Sequence, residues 1–149
     1  MDAIRPATNA DVFRLAEIEI FNYRLFFYPI FRTDRYFFSE LSVPVLIEEY
    51  RREPERIART LVYDDGVVKG FIRVNGEEIE KLFTEPAFHD KGIGGMLLDA
   101  AVDRTGAKRL LVLEKNADAV RFYQRHGFHI TDRRQPVDDT NERFIVMER

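Results

Sequence analysis

The sequence predicts a mixed α/β fold, a mostly antiparallel central sheet flanked by helices rather than an open doubly wound sheet. Three observations carry that prediction. Two turn dipeptides, Asp65-Gly66 and Asn75-Gly76, separate runs of β-branched and aromatic residues, the strongest short-range hairpin signal. Helix-period segments stand both before and after that block of strands. No repeat, low-complexity tract or Gly/Ser-rich linker interrupts the chain, so residues 1–149 are expected to form one domain.

In chain order, AIRPA (3–7) reads as a short first strand. Thr8 or Asn9 is placed to cap a helix through VFRLAEIEIFNYRLFF, with Val12, Leu15, Ile18 and Glu19 on one face and Pro29 as its interruption. A second helix follows Ser42 through VLIEEYRRE, with Pro44 tolerated in the first turn. RTLVYDDGVVKGFIRVNGEEIEKLFTE then reads as three consecutive strands. A glycine turn after Pro86 opens a helix that ends near Gly106, and RLLVLE (109–114) is a buried strand by its continuous apolar run. NADAVRFYQRH forms a helix capped at Gly127, and FHITDRR and ERFIVME close the chain as paired strands. The expected order is β-α-α-β-β-β-α-β-α-β-β.

Composition narrows the function classes. Hydrophobic residues make up 45% and charged residues 33%, an ordinary globular balance. With 23 Lys and Arg against 26 Asp and Glu, the net charge of −3 offers no bulk positive field to nucleic acid or an anionic membrane. No apolar run approaches the roughly 18 residues that span a bilayer. The N-terminus lacks the basic-then-apolar pattern of a signal peptide, so a cytoplasmic protein is expected. The absence of cysteine removes disulfides, thiol catalysis and Cys-based zinc sites, and no metal site is expected.

The segment HDKGIGGMLLDAAV (89–102) carries most of the functional information. Glycine is unfavourable in helices, so Gly92, Gly94 and Gly95 at a helix start imply close approach to the backbone, as by a phosphate. A P-loop is excluded, since no Gly-Lys-Ser/Thr follows at the required spacing. A dinucleotide fingerprint is excluded too, because Leu97 stands where its third glycine belongs. What remains is a strand, EIEKLFT, a short loop with Pro86, and then x-x-x-Gly-x-Gly opening a helix.

That arrangement resembles the GNAT family of N-acetyltransferases, whose hallmark Gln/Arg-x-x-Gly-x-Gly/Ala here reads His89-Asp90-Lys91-Gly92-Ile93-Gly94. KNADAVRFYQRHGF resembles the family's downstream motif, with Asn116, Tyr123, Gly127 and Phe128 in the matching places. His89 departs from the usual Gln or Arg, and Lys91 restores positive charge beside it. The resemblance covers nearly the whole chain. It implies the GNAT fold and acetyl-coenzyme A as co-substrate, with the pyrophosphate on the backbone of His89, Asp90, Lys91, Gly92, Ile93, Gly94 and Gly95.

The resemblance further implies that main-chain groups of Leu82, Phe83 and Thr84 pair with the pantetheine arm and stabilise charge developing on the thioester oxygen. Asn116 would bind that arm or cap its helix, and Tyr123 would protonate the departing thiolate. Glu78 and Glu80 lie two apart on one strand, so both are expected on one face, together with Leu82 and Thr84, and either is a candidate general base. Glu114 is a third candidate, equally placed to tether the next helix. Arg121 and Arg125 suit either the coenzyme's 3′-phosphate or surface ion pairs.

Residues 21–38 hold nine of the chain's 19 aromatics and, by the resemblance, contribute to an acceptor wall. Most of those rings are expected to pack on the sheet or in a dimer contact. The expected activity is transfer of acetyl to a primary amine of a small molecule or peptide by direct attack, since no cysteine can carry an acetyl group. A non-catalytic acyl-coenzyme A sensor of the same fold is the rival expectation. Either a monomer or a homodimer is compatible with the sequence.

Overall fold

The computed structural model describes residues 2–149. Its strands are β1 (Ile4–Pro6), β2 (Thr60–Asp64), β3 (Val68–Asn75), β4 (Glu78–Thr84), β5 (Arg109–Leu113), β6 (His129–Pro136) and β7 (Arg143–Glu148). They form one seven-stranded sheet in the order β1-β2-β3-β4-β5-β7-β6. Every neighbouring pair is antiparallel except β4 and β5. The helices are α1 (Val12–Asn22), α2 (Tyr28–Phe31), α3 (Val43–Arg52), α4 (Glu55–Ala58), α5 (Ile93–Thr105) and α6 (Ala117–Arg125).

The expected order of strands and major helices holds, with additions before α3 and the short α4 after it. Pro29 does not interrupt the first helix. A π-helical turn over Tyr23–Phe27 leads into α2, and Pro29 falls in the first turn of that new segment, where its missing N–H costs nothing. The helical run ends instead at Arg32, which takes a left-handed φ of 55°. A second π turn covers Tyr36–Glu40. Ser42 then caps α3 as expected, its Oγ accepting from the Val45 N–H at 3.3 Å.

Both sheet faces are covered. Leu15, Ile18, Leu46 and Tyr50 of α1 and α3 pack with Val62 and Phe71 on one face. Leu97, Leu98 and Ala101 of α5 pack with Ile72, Leu110 and Met147 on the other. Side chains of this size stabilise by about 1.5–3 kcal/mol each when fully buried. Gly70 lets α5 lie close to β3: a Cβ there would stand 3.0 Å from the Phe83 carbonyl oxygen and 3.2 Å from side-chain atoms of Ile93 and Leu97. Gly70→Ala is therefore expected to cost about 1–3 kcal/mol by overpacking. Urea unfolding measures it, and an unchanged midpoint would mean that α5 shifts freely.

Two irregularities in β4 shape the centre of the molecule. Arg73 pairs with Lys81 but Val74 pairs with Ile79, so Glu80 is an extra, bulged residue. The bulge breaks the alternation expected for this strand. Leu82 packs with Ile79 in the α5-side cluster, while Phe83 packs on the α1 side. Leu82 therefore does not share a face with the glutamates, and Thr84 likewise lies toward Gly94 of α5, which corrects the expectation for both. The second irregularity is that β4 pairs with β5 only at Glu78–Arg109 and Ile79–Leu110. Beyond Ile79 the two strands part, and the β5-facing edge of β4 is left without a strand partner.

Candidate active site

The glycine turn sits at the end of that parted edge. Asp90 and Gly92 take left-handed φ values of 64° and 79°, and α5 begins immediately after. Its first ladder bond runs from the Met96 N–H to the Gly92 carbonyl at 3.1 Å. Among the described residues the N–H groups of Ile93, Gly94 and Gly95 have no acceptor, so the positive end of a 13-residue helix presents free donors beside Lys91. The three glycines have separate reasons. Gly92 supplies the left-handed conformation and faces open space. Gly95 makes room for α6, since a Cβ would lie 2.8 Å from the His126 ring. At Gly94 a Cβ would make ordinary contact with Phe122 at 3.4 Å and lie 3.8 Å from Thr84 Oγ1. Free backbone donors with a nearby lysine are the donor set that a diphosphate requires.

His89 fastens this loop to the strand. Its Nε2 lies 2.9 Å from the Thr84 carbonyl oxygen, and its ring stacks on Phe26 at 5.2 Å. The Thr84 carbonyl also accepts from Asn22 Nδ2 at 2.9 Å, which ties the end of β4 to α1.

Asn116 caps α6, its Oδ1 accepting from the Ala119 N–H at 3.3 Å. The Tyr123 ring packs edge-on against Phe122 and Phe128, at 5.2 and 5.9 Å between centroids. Its hydroxyl has no hydrogen-bond partner among the described residues, and burial pushes its pKa well above the usual phenol range. It therefore stays protonated at neutral pH. Arg121 pairs with Asp118 on the surface. Glu114 is exposed and bound to Arg143 at 3.0 Å and Arg134 at 3.4 Å, the former holding its carboxyl below the usual range. Its two arginine partners make it a tether between the end of β5 and the last two strands.

On the α1 face a cavity of about 1050 Å³ opens between the aromatic segment and the loop of Val137–Thr140. Tyr23, Phe27, Phe31, Tyr36 and Phe37 line it, whereas Phe21, Phe26 and Phe38 face outward. Glu78 and Glu80 are on its wall. Arg59 approaches Glu80 at 3.6 Å, while Glu78 has no ion-pair partner among the described residues.

The cavity floor holds a polar network that sequence reasoning did not single out. Arg73 and Glu19 pair at 3.8 Å with side chains only 3% and 7% exposed. The Tyr23 and Tyr50 hydroxyls donate to the Glu19 carboxylate at 3.1 and 3.4 Å, and Lys81 Nζ donates to Tyr23 Oη at 2.6 Å. The signal was present: Glu19 lies on the apolar face of its helix, and Arg73 interrupts the apolar run GFIRV.

Comparison with known proteins agrees with this geometry. The model of the acetyltransferase (GNAT) domain matches residues 56–130. The peptidyl-lysine N-acetyltransferase YjaB of Escherichia coli strain K12 is 30% identical over 111 residues, covering 68% of this chain and 75% of that protein. YjaB of Salmonella typhimurium is 34% identical over 94 residues, spanning 63% of this chain and 64% of that relative's length, just under two thirds. The structure of PaiA N-acetyltransferase from Thermoplasma acidophilum in complex with coenzyme A superposes with a TM-score of 0.71 at 22% identity, covering 98% of this chain and 97% of that one. At that identity the likeness speaks to the fold.

Proposed function

Because this chain belongs to the GNAT acetyltransferase family, we propose that it is an N-acetyltransferase, a single catalytic domain that moves acetyl from acetyl-coenzyme A to a primary amine. The observation that carries this reading is the opening where β4 leaves β5. Its β4 edge offers unpaired main-chain groups, its far end meets the free donors of α5, and α6, which packs beside the start of α5 through Phe122, carries the unbonded Tyr123 hydroxyl. The coenzyme-bound relative supports the choice of co-substrate.

Bound there, acetyl-coenzyme A supplies an acetyl group activated as a thioester. The backbone of Asp90, Lys91, Gly92, Ile93, Gly94 and Gly95 holds the pyrophosphate, with His89 keeping the turn against Thr84. Main-chain groups of Leu82, Phe83 and Thr84 hold the pantetheine arm and meet the charge that develops on the carbonyl oxygen. Asn116 spends Oδ1 on its helix and has Nδ2 for the arm. Tyr123 gives its proton to the departing sulfur. On the acceptor side Glu78, free of ion pairs, takes a proton from the amine nitrogen directly or through water, and Glu80, held by Arg59, adds negative charge that favours an ammonium in the cavity. With no cysteine to carry an acetyl group, the amine attacks directly. The YjaB relatives make a peptide lysine the first acceptor to try beside small amines.

Thermal unfolding tests the reading. Acetyl-coenzyme A at 100 times its Kd stabilises by about 2.7 kcal/mol, roughly 5–10 °C for a domain this size, and ATP and NAD are expected to leave the midpoint in place. No selective rise would overturn the proposal. A rise without coenzyme release in the presence of lysine peptides or amines would identify a sensor instead.

A further inference from the structure

Four cations line the acceptor cavity, and three are matched by carboxylates. Arg56 meets Glu53 at 2.8 Å and Glu49 at 3.4 Å, Arg59 meets Glu80 at 3.6 Å, and Arg73 meets Glu19 at 3.8 Å. Lys81 has no carboxylate within ion-pair distance among the described residues, and the partner of its Nζ is the Tyr23 hydroxyl. That hydroxyl points its own hydrogen at Glu19, so it can only accept from Lys81. The lysine is thus held by one neutral oxygen, on the cavity wall, one residue before the Leu82–Thr84 edge.

We propose that Lys81 is a catalytic residue of this site, the group that takes the first of the two protons the acceptor nitrogen must lose. The inference rests on the acetyltransferase reading and deepens it. An acceptor amine arrives as R–NH3+ with a pKa of about 10 and cannot attack until it is deprotonated. A lysine whose surroundings disfavour its charged form keeps a lone pair for that transfer, and an amine nitrogen is a stronger base than a carboxylate.

The surroundings of Lys81 press it toward the neutral form. The floor's negative charge, Glu19, is already matched by Arg73. A charged Lys81 would have no carboxylate of its own, since the group bonded to its Nζ is a neutral hydroxyl. Burial is the largest influence on Lys81 and lowers its pKa. Arg73 from β3 and Arg56 from α4 act in the same direction, against Glu19 from α1 and Glu80 from β4. Tyr50 from α3 and Tyr23 from the π turn are uncharged, as burial raises the pKa of both.

The protons then balance. The Nζ lone pair takes one hydrogen from R–NH3+, and the freed nitrogen forms its C–N bond to the acetyl carbon. The second proton leaves nitrogen as that bond forms, when it is acidic enough for the Glu78 carboxylate. The C–S bond breaks and the sulfur takes the Tyr123 proton. Solvent returns one proton to Tyr123 and removes those on Lys81 and Glu78, for a net release of one.

Lys81→Met and Lys81→Arg test the assignment together, each checked for the acetyl-coenzyme A-dependent rise in Tm that shows an intact site. Both are expected to lower kcat on the order of 100-fold, because neither side chain accepts a proton at neutral pH. In Lys81→Met the acidic limb of kcat/KM is expected to move up toward the pKa of the amine itself. A second readout needs no coenzyme: competitive labelling with acetic anhydride across pH, read by mass spectrometry, is expected to show Lys81 titrating below the surface lysines. Lys81→Arg at wild-type kcat, or a labelling midpoint shared with surface lysines, would overturn the proposal. Absence of the Tm rise in the wild-type protein would count against the acetyltransferase reading instead.

Discussion

Tyr123→Phe is expected to lower kcat on the order of 100-fold while leaving acetyl-coenzyme A binding and folding stability nearly unchanged. The physical reason lies in what the hydroxyl does not do. It makes no hydrogen bond in the fold, and the ring is held by Phe122 and Phe128 through contacts that phenylalanine keeps. A tyrosine present only for packing would therefore lose nothing on this substitution, in rate or in stability. Steady-state kinetics beside thermal unfolding separates the roles, and an unchanged kcat would remove Tyr123 as proton donor. The pH dependence carries a further expectation. Burial raises the Tyr123 pKa, so the protonated donor form persists above the ordinary phenol range. No fall in kcat through loss of this proton is expected as pH rises from 7 to about 10.

Arg73→Met is expected to be the most destabilising substitution considered, by about 3–5 kcal/mol, because it strands the Glu19 carboxylate in the cavity floor without its cation. That is a large part of the roughly 5–15 kcal/mol that holds a domain of this kind together. Adding Glu19→Gln should recover most of the loss, since an amide keeps the size of the side chain and needs no counter-charge. Urea unfolding of the two single variants and the double variant gives the coupling. A double variant no more stable than Arg73→Met would show that the arginine acts through its ring contacts with Tyr50 and Phe71 rather than through charge.

Much of the site was legible because its signals are local. Turn dipeptides, caps and apolar periods placed the strands and major helices in order, as at Ser42 and Asn116, whose side chains accept the expected N-terminal hydrogen bonds. The glycine turn was legible for the same reason, although its glycines divide their work: one for conformation, one for packing, and Gly94 under no steric demand within the fold. Pro29 was misplaced because a proline reads as a breaker unless the helix restarts just before it, and a π turn has no simple sequence period.

By itself, then, the sequence determined the order of the strands and major helices and the helix start that presents backbone donors. These depend on residues within a turn or two of one another, whereas Tyr123 was named as the proton donor to test by the resemblance to the GNAT family. The tertiary structure alone decided the β4 bulge at Glu80, the faces on which Leu82 and Lys81 lie, and the parting of β4 from β5. It also decided that Glu19, Arg73 and Lys81 meet in one cavity floor. The physical reason is register. A single extra residue in one strand exchanges its two faces, and which partner it slips against is settled by side chains far away in the chain.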